Sequence, residues 1–217
     1  DLEDKLDLLA NGNRQMIVDG LLELALEQGW GGIYLDLEGC PPELQAELSA
    51  LHLTSYRAFS NQGLTVGVSV RGRTGDDGLD YPNAYTYDFS ILNDVADLID
   101  IRCYGYWLPI PRAIAPLWWV RECLEYALSK DVPADKMLLG LGNYAECWPN
   151  APRVEGRVQV SCAEAMAMVQ EAGSTIGMMV RDNNGIVMEK QADYEAGYIR
   201  IQDGDTIRLR LALIDEY

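Results

Sequence analysis

Apolar and polar positions along this chain follow two alternating periods. Segment 13–29, NRQMIVDGLLELALEQG, sets Met16, Ile17, Leu21, Leu24 and Leu26 mostly at helical spacing and ends on the stop signal Gly29. Segment 31–38, GGIYLDLE, switches to period two, the spacing of a strand. Prolines suited to a helix start open the next helical stretch, 41–63, which closes on Gly63. The β-branched run 64–70, LTVGVSV, predicts a second strand. A short helix or loop over 87–99 feeds a strand over 100–107, DIRCYGYW. In 115–131, Leu117, Val120, Leu124, Ala127 and Leu128 share one helical face, and 136–144, KMLLGLGNY, predicts the following strand.

After residue 144 the rhythm changes. Segment 161–173 predicts a helix with a capping box, Ser161 with Glu164. Segment 175–190 predicts a hairpin around Asn184-Gly185, and 207–217 a last helix. Strands alternating with helices argue an α/β fold with a parallel sheet and helical crossovers. Four strands of barrel type are visible, whereas a complete (β/α)8 barrel takes roughly 250 residues and this chain has 217. The pattern predicts either an open sheet or an incomplete TIM-type barrel, a segment of a longer one.

Within 31–38, Ile33, Leu35 and Leu37 fall on one face of the strand, and Tyr34, Asp36 and Glu38 on the other. In a barrel the polar set faces the lumen, and reactive groups gather at the C-terminal strand ends. Glu38 reads as the last strand residue, with Asp36 one inward step deeper. Two neighbouring carboxylates drive their proton affinities apart, which suits one as proton donor and the other as anionic partner. The alternative is that both merely pair with a basic residue inside the sheet, and Arg71 and Arg102 lie at neighbouring strand ends.

Composition narrows the chemistry. With 34 acidic and 17 basic residues the formal net charge is −17, which argues against nucleic acid as a partner. No apolar run approaches the roughly 18–20 residues of a membrane span. The single histidine, His52, sits in a helical pattern and reads as a packed or surface residue, so carboxylates and tyrosines must carry any catalysis. Cys40, Cys103, Cys123, Cys147 and Cys162 are scattered without a C-x-x-C pair and are expected to be reduced. GLGNYA at 140–145 formally fits a dinucleotide fingerprint, but the prolines of ECWPNAP follow where a helix would have to start.

GGIYLDLE resembles the D-x-x-D-x-D-x-E signature strand of glycoside hydrolase family 18, the chitinase family. The resemblance is strongest to the branch of spore-germination and cortex-lytic N-acetylglucosaminidases. LIDIRCYGYW is similar to that branch's D-x-x-x-x-M-T-Y-E-W strand, and AIAPLWWVRECLEYALSKDVPADKMLLGLGNYAECW to its A-P-(x)n-V-R-x-x-L-x-Y-A stretch with the strand after it. The likeness covers nearly all of the chain. It implies a family-18-type barrel segment over 1–217, with the hairpin and helix at roughly 150–203 as a small α+β insertion. Glu38 then matches the general acid, Asp36 the aspartate that orients the substrate's 2-acetamido group, and Tyr104 the tyrosine that holds its carbonyl. Tyr34, Tyr144, Trp148 and Trp107 are the candidate sugar contacts, with rim packing as the alternative for Tyr144 and Trp148.

Three positions depart from the family pattern. Gly31 and Tyr34 stand where the signature has its first two aspartates, and Gly105 where an acidic residue follows the tyrosine. The resemblance implies retaining, substrate-assisted hydrolysis of β-linked N-acetylglucosamine polymers, peptidoglycan or spore cortex ahead of chitin. It implies no metal or organic cofactor, and an extracellular, cell-wall or spore setting. The rival expectation is a chitinase-like lectin that binds amino sugar without cleaving it. A third is that further polypeptide completes the barrel before it acts.

Overall fold

β-Branched side chains make the strands, and prolines and glycines punctuate what lies between them. A computed structural model describes residues 2–9, 11–77, 81–106, 113–149, 156–181, 187–194 and 197–217. Helices α1 (Leu2–Leu9) and α2 (Asn11–Gln28) precede β1 (Gly32–Asp36), α3 (Gln45–Ser60), β2 (Thr65–Arg71), α4 (Leu92–Val95), β3 (Leu98–Arg102), α5 (Leu117–Ser129) and β4 (Met137–Gly140). These strands form one four-stranded sheet in the order β1-β2-β3-β4, parallel at β1–β2 and β2–β3. Sequential parallel strands joined by helices are the architecture of a (β/α)8 barrel. Here the sheet stays open, with no closed barrel among the described residues.

By contacts the chain divides into a unit of residues 1–102 with 123–139 and a unit of 103–122 with 140–217. In the first, Val66, Val68, Val70, Ile99 and Ile101 are fully buried on one face of the sheet, and α3 packs on β1 and β2. Burying each such side chain is worth about 1.5–3 kcal/mol. His52 is buried in α3, as a packed histidine. The loop after β2 is pinned by Arg73, which is buried among the rings of Tyr85, Phe89 and Tyr126. Its guanidinium donates to Asp76 at 3.1 Å and to the Tyr126 hydroxyl at 2.7 Å.

The second unit holds β5 (Tyr144–Trp148), β6 (Val158–Ser161), α6 (Cys162–Glu171), β7 (Ile176–Arg181), β8 (Val187–Tyr194), β9 (Gly197–Ile201) and α7 (Gly204–Leu211). The strands form an antiparallel sheet in the order β6-β5-β9-β8-β7. Ala145, Cys147, Ala192, Ile199 and Ile201 from the sheet meet Ala165 and Val169 from α6 in one apolar core. The predicted capping box of Ser161 and Glu164 is present at the start of α6. The predicted hairpin is the β7–β8 pair, while Asn184 and Gly185 lie outside the described residues.

Several boundaries differ from expectation. The buried stripe of α2 runs through Val18 and Ala25, leaving Met16, Leu24 and Leu26 exposed. β1 ends at Asp36, two residues before Glu38, because its last pairing with β2 is Asp36 to Ser69. β3 runs from Leu98 to Arg102, so Cys103–Tyr106 are irregular rather than strand. The segment 136–144 contributes to two sheets: β4 ends at Gly140 and β5 begins at Tyr144. GLGNYA runs directly into the strand Tyr144–Trp148 rather than into a helix, in line with the rejected dinucleotide fingerprint. The last helix starts at Gly204, capped by the Asp203 side chain, and gives way to a 3-10 turn at Ala212–Glu216. None of the five cysteines is in a disulfide. Among the described residues no helix is long and apolar enough to cross a membrane.

Candidate active site

The polar face of β1 keeps the alternation that its sequence predicts. Leu35 is buried, whereas Tyr34 is exposed and the Asp36 and Glu38 side chains are 48% and 66% accessible. Asp36 is the terminal strand residue, and Glu38 stands in the turn just beyond it with Gly39. Both carboxylates therefore sit at the C-terminal strand end, where such sheets place their chemistry.

From β3, two strands away, Arg102 reaches both of them. One of its terminal nitrogens lies 3.1 Å from Asp36 and also forms an ion pair with Glu38. The other donates to the Tyr87 hydroxyl at 3.0 Å, and that hydroxyl donates to the Leu37 carbonyl at 3.1 Å. The Arg102 side chain is only 5% accessible, so its charge relies on these partners rather than on water. The pairing weighed as an alternative to function is thus present, and it leaves both carboxylates within reach of solvent. Burial, and next the charge of Asp36, push the Tyr87 hydroxyl well above the usual tyrosine range, which keeps it a neutral donor. Arg71, in register with Arg102 on β2, lies over the Tyr81 ring at 4.5 Å.

Below the tip, strand register lines up a second set of groups. Asp36, Ser69 and Asp100 are partners across β1, β2 and β3. The Tyr34 ring crosses β2 at Gly67, where a Cβ would stand 2.4 Å from the Tyr34 Cδ2. That bare backbone lets the Tyr34 hydroxyl donate to Asp100 at 2.8 Å, and Ser69 Oγ donates to the same oxygen at 3.2 Å. Burial raises the proton affinity of Asp100 above the ordinary aspartate range. The two hydrogen bonds oppose this, and the charge of Asp36 adds to it. Burial and the bond to Asp100 likewise raise the Tyr34 hydroxyl.

Ser69, Asp100 and Tyr87 were not among the candidate residues read from sequence. For the first two the signal existed: each is a polar residue at period two in an otherwise apolar strand, as Asp36 is. Tyr87 lies in a loop and carries no such signal. Arg102 appeared only as a salt-bridge partner.

The remaining candidates belong to the second unit. Tyr104 lies in the irregular segment after β3, its ring edge-on to Tyr144 with centroids 6.3 Å apart. Trp148 is on β5 and 2% exposed. Gly105 has φ of 69°, a left-handed conformation that L side chains adopt rarely, which gives a backbone reason for glycine where the family carries an acid. Trp107 lies outside the described residues.

No family model matches the chain. It is 26% identical over 138 residues to YvbX, an uncharacterized glycosylase of Bacillus subtilis (strain 168), covering 62% of this chain and 39% of that protein. It is 22% identical over 199 residues to the cortical fragment-lytic enzyme of the same organism, covering 90% of this chain and 43% of the relative. The chain thus spans about two fifths of the length of these curated relatives, 39% and 43%. Its fold superposes on the crystal structure of a chitinase from Chromobacterium violaceum ATCC 12472 with a TM-score of 0.82 at 23% identity, covering 95% of this chain and 64% of that one. The chain thus has proteins named as a glycosylase and a cortical fragment-lytic enzyme among its sequence relatives and shares its fold with a solved chitinase, which is consistent with the resemblance of its first strand to glycoside hydrolase family 18.

Proposed function

We propose that this chain carries the acid–base site of a glycosidase that cleaves β-linked N-acetylglucosamine polymers, peptidoglycan or spore cortex ahead of chitin, with retention of configuration. The observation that supports it most is the pair of solvent-reaching carboxylates, Asp36 and Glu38, on the polar face at the C-terminal end of β1. Glu38 gives its proton to the glycosidic oxygen as the bond to the anomeric carbon breaks. The substrate's own acetamido oxygen closes on that carbon, and Asp36 holds the acetamido N–H and faces the positive charge of the oxazolinium ion. Water, deprotonated by Glu38, then opens the ring from the face the leaving group vacated, restoring the original configuration. Tyr104 is assigned to the acetamido carbonyl, and Tyr104→Phe is expected to lower kcat more than it raises KM. The setting proposed is the cell wall or spore, in keeping with relatives named as a cortical fragment-lytic enzyme and a sporulation-specific glycosylase.

One observation favours a second reading, an amino-sugar lectin: Arg102 already engages Glu38. Reducing-sugar release from N-acetylglucosamine oligomers and from peptidoglycan, compared between the chain and Glu38→Gln, decides between them. Hydrolysis that is lost in the variant supports the glycosidase. Oligomer binding without hydrolysis in either supports the lectin. Neither binding nor hydrolysis means that the site needs further polypeptide to act.

A further inference from the structure

The signature strand lacks a carboxylate at position 34, and the fold brings one from another strand to the hydroxyl of the tyrosine that stands there. Tyr34 lies flat across Gly67, where a Cβ would stand 2.4 Å from its Cδ2, and hands its hydroxyl to Asp100 at 2.8 Å. Ser69 holds the same carboxylate oxygen at 3.2 Å from the strand between. Asp36, Ser69 and Asp100 are register partners, so Asp36 and Asp100 flank Ser69 on one level of the polar face. On the glycosidase reading, we propose that Asp100 is the carboxyl partner of Asp36, a positioning residue that Tyr34 and Ser69 fix in place of the missing signature aspartate.

The chemistry asks for such a partner. Asp36 must face a sugar that is neutral at first and cationic in the intermediate. A second carboxyl on the same level lets the row match both states, because its charge answers to the field of Asp36. The field of Asp36 reaches Asp100: its charge adds to the burial that raises the proton affinity of Asp100. Among the described residues the groups facing Asp100 come from three strands. Tyr34 and Asp36 come from β1, Ser69 from β2, and Arg102 stands two residues further along β3. β4, Met137–Gly140, offers no titratable side chain. Tyr34 thus has a use that its position in the motif conceals.

Two measurements test this. Side-chain carboxyl carbons of aspartate, followed by NMR through a pH titration, read Asp100 directly whether or not the chain hydrolyses anything. Its midpoint is expected to fall in Asp36→Asn, which removes the neighbouring charge, and to rise in Tyr34→Phe, which removes a donor to the charged form. A midpoint that moves in neither variant overturns the proposal. The second measurement is the pH profile of kcat on N-acetylglucosamine oligomers for the chain and for Asp100→Asn. The expected result is a lower kcat with a displaced profile and little change in KM. An unchanged profile, with stability alone affected, makes Asp100 merely structural and overturns the proposal. Should the unmodified chain cleave nothing, the outcome bears on the glycosidase reading alone, and the NMR titration still upholds or overturns the pairing of Asp100 with Asp36.

Discussion

Single residues here are governed by how far each charge can lean on water. His52 cannot: burial lowers its proton affinity from an ordinary 6.5 to about 4. The folded state therefore keeps it neutral, while the unfolded chain binds a proton below about 6.5. The stability from this residue is fully present above that pH and is lost as the pH falls towards about 4. The loss amounts to about 3 kcal/mol at the acid end. Urea unfolding across that window should show this slope, and His52→Leu should flatten it relative to the unmodified chain. Arg102 cannot lean on water either, but its partners can. Removing one partner of a buried ion pair costs about 3–5 kcal/mol when the other is left stranded. Here the partners left behind, Asp36 and Glu38, are roughly half exposed or more and water takes them over. Arg102→Met is accordingly expected to cost about 1 kcal/mol or less in urea unfolding. A loss near 4 kcal/mol would mean that the carboxylates depend on the arginine far more than their exposure implies.

At the scale of elements, β1, β2 and β3 act as one surface because their register sets which side chains share a level. Gly67 shows the constraint most sharply. Gly67→Ala places a methyl 2.4 Å from the Tyr34 ring. The ring has to lift, at about 1–3 kcal/mol, and its bond to Asp100 goes with it. Thermal unfolding together with the Asp100 titration checks this: stability should fall and the Asp100 midpoint should rise. An unaltered midpoint would show that Tyr34 does not need the bare backbone. Element types were largely legible in the sequence, since period two and helical spacing are local properties. Boundaries were less so. Segment 136–144 reads as one apolar run, yet its halves pair with different neighbours, β4 in the parallel sheet and β5 in the antiparallel one. The buried stripe of α2 departs from the helical pattern for a related reason, because Val18 and Ala25 are buried while the larger Leu24 and Leu26 are exposed. Hydrophobicity alone does not say which face meets a neighbour.

For the molecule as a whole, a formal charge of −17 over 217 residues means mutual repulsion in the folded state. Raising ionic strength from about 0.01 M to 0.15 M shortens the screening length from about 30 Å to about 8 Å. The thermal midpoint is expected to rise over that range, and a fall would show that favourable ion pairs outweigh the repulsion. By itself the sequence determined the α/β alternation, the carboxylate pair with its polar face, the capping box of α6 and the likeness to chitinase-like glycosidases. Each rests on residues near one another in the chain, whose periodicity and sterics act locally. What only the tertiary structure decided is which polar groups meet across the sheet. Tyr34 and Asp100, 66 residues apart, touch because parallel pairing with β2 lays β1 and β3 on either side of it. The same pairing seats Arg102 under both carboxylates. Register is a property of the assembled sheet, since one strand's pattern is compatible with several alignments and packing of the apolar face selects among them.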